Sequence, residues 1–192
     1  MARTKTVGDE AILDAAMALM VREGPKAVTF AAVGREVGLS AATLVQRYAT
    51  KADFLHAVLW RAWNQLDEQT ARLDASAALS PEGAVRMLVA LSPVGEGEFD
   101  FAEGLLILRE DMRDPLLRER GAQWRATMAV ALGRRLSDDP HRQAMLGRMM
   151  ASQWQGAQLW WAFERRGDAV SVIGDELRRW CEVVLKAERV AG

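Results

Sequence analysis

The chain has 192 residues, 50% of them hydrophobic and 27% charged, enough apolar content for a sizeable core in one large or two small globular domains. Its longest apolar runs, such as Met17 to Val21 and Leu105 to Leu108, fall far below the roughly 18 residues a membrane span needs. No long apolar stretch reads as a signal peptide, so the expected location is the cytoplasm. The single cysteine, Cys181, excludes an intramolecular disulfide framework and any multi-cysteine metal site, and a net charge of −1 excludes a generally basic coat.

Apolar residues recur at spacings of three and four throughout and never alternate convincingly with polar ones, so the chain is expected to be all-α. A first helix over about Asp9 to Glu23 places Ile12, Ala16, Leu19 and Met20 on one face, and Gly24-Pro25 ends it. Thr29 caps a second helix whose Val33 and Val37 form the apolar side, Gly38 supplies a sharp turn, and Ser40 caps a third helix over about Ala41 to Tyr48. Leu44 and Tyr48 point inward there, while Thr43, Gln46 and Arg47 stay outside. Two short helices joined by a glycine turn make a helix-turn-helix, and the outward set is short, polar and basic as a groove-reading helix requires. Charge agrees weakly with that reading. Residues 1–51 carry seven Lys/Arg against five Asp/Glu (+2), and the remainder carries 18 against 21 (−3).

A longer helix opens at Ala49 or Thr50 and runs to about Asp74, with Phe54, Leu55, Val58, Leu59 and Leu66 expected to bind the three-helix head to the rest of the chain. Ser80-Pro81-Glu82 starts the next helix, which ends near Leu91, and Ser92 to Glu98 reads as a flexible loop. Helices from about Phe99 to Met112 and from Asp114-Pro115 to Leu136 follow, then two more over about His141 to Arg166 and Ser171 to Ala187, nine in all. The penultimate helix is apolar on two sides. Met145, Met149, Gly156, Leu159 and Phe163 share one sector, while Met150, Trp154, Ala157 and Trp161 occupy the next. A helix this apolar needs two partners, and the second is expected to be the same helix of another subunit. Ile173, Leu177, Cys181 and Val184 of the last helix form a similar stripe, so a two-fold four-helix bundle is the expected dimer interface.

Several positions between residues 9 and 55 resemble the TetR family of transcriptional regulators. They are Ile12-Leu13-Asp14-Ala15-Ala16 and Glu23-Gly24, Thr29, Val37-Gly38-Leu39-Ser40, Thr43-Leu44, and Lys51 with Phe54-Leu55. The resemblance implies a dimeric, ligand-responsive regulator, a repressor in most relatives, with a DNA-binding domain at residues 1–50 and a ligand-binding and dimerisation domain at residues 51–192. The residue after Thr-Leu is commonly a phosphate-contacting tyrosine in such regulators. Here it is Val45, which has no hydrogen bond to donate, so that contact is absent or supplied by a neighbour such as Arg47. Tyr48 stands where phenylalanine is common; it keeps the core role and adds a hydroxyl, which places it among the candidate DNA-binding residues.

Thr29, Ser40, Thr43, Arg47 and Lys51 are the candidate phosphate contacts. Gln46 with Ala41 or Ala42 are the candidate base contacts, by amide pairing to adenine and methyl contact to thymine. Arg3 and Lys5 are candidates for a minor-groove or phosphate arm. The expected partner is a near-palindromic operator duplex with half-sites about 34–36 Å apart or a multiple of that. Seven tryptophans and nine methionines suggest an apolar pocket for a small apolar or aromatic effector, lined by Trp154, Gln158 and Trp161 with Met87, Leu105, Met112, Trp124 and Met128.

No motif asks for a cofactor or metal. His56 and His141, the only histidines, sit on separate predicted helices with no nucleophile beside them, and Glu103, Glu110 and Asp111 read as solvated helix charge, so catalysis is not expected. The rival reading is a helical protein-interaction module that has lost DNA binding.

Overall fold

The computed structural model describes residues 7–92 and 101–190. Nine helices and no strands occur among the described residues: α1 Asp9–Glu23, α2 Phe30–Val37, α3 Ala41–Tyr48, α4 Lys51–Ser76, α5 Pro81–Ala90, α6 Phe101–Arg113, α7 Pro115–Leu136, α8 Pro140–Glu164 and α9 Ala169–Val190. Arg3 and Lys5, the predicted loop beyond Ser92 and the predicted helix start at Phe99 lie outside the described residues. No helix among those described is long and apolar enough to cross a membrane.

The helix starts follow local chemistry. Thr29, Ser40, Ser80 and Asp139 each accept a hydrogen bond from an early backbone N–H of α2, α3, α5 and α8, and Pro81 and Pro140 stand at first-turn positions where no N–H is needed. Asp114 does the same for α7, accepting from Leu116 N at 2.8 Å.

The chain divides into two compact units. The first comprises α1 to α3, α4 as far as Gln65, α6 and the start of α7. Ile12, Ala16, Leu19 and Met20 of α1 pack there with Val33 and Leu44, as the spacing predicts. Phe54, Val58 and Leu59 of α4 lie in this same core. They close the head's own interior, where the sequence suggested a link to the rest of the chain.

Within this unit α6 carries three of the residues singled out in the sequence, and one of them reverses its expectation. Leu105 and Met112, expected as pocket walls, are exposed, Met112 to 58%. Asp111, expected as solvated charge, is 9% exposed and accepts a hydrogen bond from Trp63 Nε1 at 3.1 Å. Burial, and to a lesser degree Asp114, push its carboxyl up to about 6 against the lowering effect of the indole bond. Nearby, His56 Nδ1 and Asp114 Oδ2 are 2.7 Å apart, and this bond holds the Asp114 carboxyl below its ordinary value. The end of α6 and the start of α7 are thus tied to α4 by two carboxylates, one paired with a histidine and one buried against an indole.

The second unit contains α4 from Leu66, α5, α7 from Gly121, α8 and α9. Its α8 divides as its two apolar sectors predict: Met150, Trp154 and Ala157 are buried, while Met145, Met149, Leu159 and Phe163 are exposed, Phe163 to 74%. The α9 stripe departs from expectation. Ile173, Leu177 and Cys181 are buried, and α9 packs on α5 and α8 of its own chain. These three residues build the chain's own core and have no surface to offer a second subunit; Val184 is half-buried. Burial pushes the Cys181 thiol up to about 11, which keeps it protonated and unreactive.

Candidate DNA-reading surface

Three short-range devices shape the corner between α2 and α3. Thr29 Oγ1 accepts from Ala32 N at 3.1 Å, fixing the start of α2. Gly38 ends that helix at φ +72°, a left-handed conformation that glycine adopts without strain, and its N–H bonds Gly34 O. Ser40 Oγ accepts from Thr43 N at 3.1 Å and lies 2.8 Å from Thr43 Oγ1, starting α3. Gly34 is a further requirement, one that the motif reading does not include. A Cβ there would sit 2.6 Å from the Leu39 carbonyl oxygen, so only glycine lets the turn fold back this closely. A glycine one helical turn before a glycine turn is the available signal.

Leu44 is fully buried beneath α3, and Tyr48 lies over Phe54 with ring centroids 4.7 Å apart. The opposite side of the helix carries Ala41, Ala42, Gln46 and Arg47, all exposed, with Thr43 half-buried at the edge. Thr29 and Lys51, on the flanking segments, are exposed as well. The structure therefore brings the predicted contacts together on one short helix and its two borders. Val45 stands among them, 44% exposed, an apolar side chain on a polar reading face. Lys51 Nζ is within 3.4 Å of Lys26 O. Arg47 is engaged within the chain: its Nη1 donates to Val7 O at 2.9 Å and to Asp9 Oδ1 at 3.0 Å. Tyr48 Oη lies 3.4 Å from the same Asp9 oxygen, and burial, then that carboxylate, push its hydroxyl up to about 12.

This exposed polar helix, capped by serine and folded against its neighbour through a left-handed glycine, falls in the stretch matched by a known sequence family. The profile of the bacterial regulatory proteins of the tetR family matches residues 12–58. The chain belongs to the TetR family. Solved structures of TetR-family and related regulators have the same fold along most of its length. A transcriptional regulator from Saccharomonospora viridis in complex with choline is 25% identical, with a TM-score of 0.68 over 89% of this chain and 93% of that one. A TetR transcriptional regulator from Legionella pneumophila is 14% identical, with a TM-score of 0.69 over 92% of this chain and 98% of that one. The multidrug binding protein EbrR, complexed with imidazole, is 21% identical, with a TM-score of 0.61 over 88% of this chain and 86% of that one. No curated protein sequence matches the chain. The protein is accordingly a TetR-family transcriptional regulator with a helix-turn-helix head.

In the second unit of this TetR-family chain, five of the eight residues expected to meet an effector are buried together: Met87, Trp124, Met128, Trp154 and Gln158. Trp161 is half-buried at the end of α8, while Leu105 and Met112 belong to the other unit and are exposed. The Trp124 and Trp154 rings are 6.3 Å apart and tilted by 53°. Both indole N–H groups are satisfied, Trp124 by Thr70 Oγ1 at 2.9 Å and Trp154 by Ser92 Oγ at 2.8 Å. Those hydroxyls donate in turn to Leu66 O and Leu88 O. The two rings are therefore held by hydrogen bonds and have only their faces and edges left for anything else. Met87 also lines an open cleft of about 510 Å³ with Leu73, Ala77, Gly83 and Ala90.

Proposed function

We propose that the protein is a dimeric repressor that reads a near-palindromic operator and is controlled by a small apolar or aromatic effector, with residues 1–50 reading DNA and residues 51–192 binding effector and partner. The outward face of α3 carries this reading. Ala41, Ala42 and Gln46 meet base edges, and Thr29, Ser40, Thr43 and Lys51 meet phosphates, with the Arg47 guanidinium at the rim. Tyr48 supports the helix from beneath.

The dimer reading rests on α8. Met145, Met149, Leu159 and Phe163 form one exposed apolar stripe, with Trp160 beside it at 63% exposure. Gly156 stands in the middle of the stripe, and a Cβ there would meet no atom of the chain within 4 Å. A mid-helix glycine costs about 1 kcal/mol relative to alanine, so a cost that nothing inside the chain demands fits a second helix approaching closely. From α9, the exposed Val183 and half-buried Val184 replace the buried part of the predicted stripe. The Met149→Glu, Leu159→Glu double variant is expected to sediment as a monomer and to lose operator affinity by on the order of 100-fold, because each half-site then binds alone. A monomeric variant that keeps wild-type affinity, or a wild-type protein that is itself monomeric, is the contrary result.

The effector reading rests on the Trp124–Trp154 pair. Both N–H groups are already bonded and both rings are buried, so a molecule admitted between them by repacking of this core would meet π faces, which suits an apolar or aromatic one. The complexes of the Saccharomonospora regulator with choline and of EbrR with imidazole support a small-molecule ligand in this fold. Titrating small aromatic compounds is expected to shift tryptophan emission in the wild type and to weaken operator binding. The Trp154→Phe variant should show a smaller spectral response. A set of compounds that moves neither emission nor operator affinity would count against the proposal.

A further inference from the structure

Resting on the assignment of α3 as the reading helix, we propose that Val45 is a specificity-determining residue that meets the 5-methyl group of a thymine in each half-site of the operator. Its side chain offers a phosphate neither charge nor hydrogen bond, yet it stands on the reading face, 44% exposed. The core of the head takes in Leu44 and Tyr48 from this helix and leaves Val45 out. Helical spacing sets it one turn after Ala41 and three residues after Ala42, both exposed, and next to the exposed Gln46. Ala41, Ala42 and Val45 therefore form one small apolar patch on a face whose other members, Thr43, Gln46 and Arg47, are polar or charged. The backbone beneath the patch is fixed at both ends, by the Ser40 cap on Thr43 N and by Ala49 N, which donates to Val45 O at 2.9 Å.

The chemistry of the major groove decides what such a patch can read. Base edges there present hydrogen-bond donors and acceptors, and the thymine methyl is the one apolar group in the code. A valine seated over any other edge would strip its water and return no hydrogen bond. Branching at Cβ adds precision, because valine in a helix holds essentially one χ1 rotamer and its two methyls are in place before DNA arrives. Side chains one turn apart have Cβ atoms about 5–6 Å apart, and successive base pairs rise about 3.4 Å, so the patch spans one to two base steps. Val45 thus covers one thymine methyl, and Ala41 or Ala42 reaches a base one or two steps away.

A cycle between protein and DNA tests this contact. The duplex that the full-length wild type selects from a random pool serves as operator, and deoxyuridine, which lacks only the 5-methyl group, replaces its thymines one symmetric pair at a time. Affinity is measured by fluorescence anisotropy across a salt series for the wild type, Val45→Ala and Val45→Thr. A methyl group buried against valine is worth about fourfold, hence about 16-fold for the two half-sites of a dimer. One thymine pair is expected to show a loss of that size with the wild type and of less than about twofold with Val45→Ala, while the other thymines keep their wild-type response. Val45→Thr, which puts a hydroxyl where one methyl was, should lose most of the same preference. The salt slope should not change in either variant, whereas a lost phosphate contact would lower it by about 0.9 per half-site. The proposal is overturned if no thymine pair loses its response in Val45→Ala, if the selected half-sites contain no thymine, or if Val45→Ala lowers the salt slope. Thermal melts of the three proteins check that the heads remain folded. A wild type that selects no duplex refutes the DNA-reading assignment itself, and this proposal with it; the uracil results bear on Val45 alone.

Discussion

Gly147→Ala is expected to lower the stability of the protein by about 3 kcal/mol, although the substitution places the best helix former in the middle of a helix. In α8, a Cβ at position 147 would lie against the backbone of α7: the Ala129 carbonyl carbon would be 2.8 Å away and the Gly133 nitrogen 3.1 Å, with the Ala129 oxygen closer still. Gly133 is the reciprocal contact, since its own Cβ would come within 2.7 Å of the Gln143 carbonyl carbon. The two helices cross with main chain on main chain, and no flexible side chain is available to yield. A methyl group must therefore push α7 and α8 apart and loosen the packing of Leu132, Leu146 and Met150, all fully buried. The steric cost exceeds the propensity gain of about 1 kcal/mol, and in a chain of this size the net loss corresponds to a fall in Tm of roughly 6–12 °C. Gly156→Ala in the monomeric Met149→Glu, Leu159→Glu background is the internal control. Nothing in the chain lies within 4 Å of that Cβ, so only helix propensity acts and stability should rise. A Gly147→Ala protein as stable as the wild type in chemical denaturation would show that the crossing is wider than these distances.

These contrasts mark where sequence reading succeeds and where it stops. Helix starts are legible because capping is local: Thr29, Ser40, Ser80 and Asp139 each bond an N–H within three residues. The corner of the DNA-reading head is legible for the same reason, its Gly38 and Ser40 acting within one turn. The two sectors of α8 are legible from angle alone. Periodicity tells which residues share a face but not what covers it. Ile173, Leu177 and Cys181 do form one stripe, but the expected partner subunit is the wrong one, because α5 and α8 of the same chain take it. Leu105 and Met112 show the same limit from the other side, as apolar residues that remain exposed. The close crossing at Gly133 and Gly147 and the bonds of Arg47 to Val7 and Asp9 depend on residues brought together from distant positions, and no local pattern encodes them.

Asp111 is the case in which charge, and not shape, escapes the sequence, and Asp111→Asn should stabilise the protein by about 2 kcal/mol at pH 7–8. The carboxyl is buried on α6, and no cation pairs with it among the described residues; its one hydrogen bond comes from Trp63 Nε1. Its folded value is raised to about 6 from an ordinary 3.8, so the folded state holds a proton that the unfolded state releases between those two values. Stability from this group is therefore complete below about pH 3.8 and is lost as pH rises through about 6. Above that pH the folded protein carries a buried charge at a cost of about 3 kcal/mol, since a carboxyl held one pH unit above its ordinary value costs about 1.4 kcal/mol when ionised. Asparagine removes the charge and keeps an acceptor for the Trp63 indole, at the loss of about 1 kcal/mol for replacing a charged acceptor with a neutral one. The gain should shrink steadily from pH 8 to pH 4 and vanish or reverse there. Urea unfolding of both proteins at four or five pH values measures it directly. A substitution that destabilises most at pH 8 would mean the anion is favoured where it sits, by a cation held against α6.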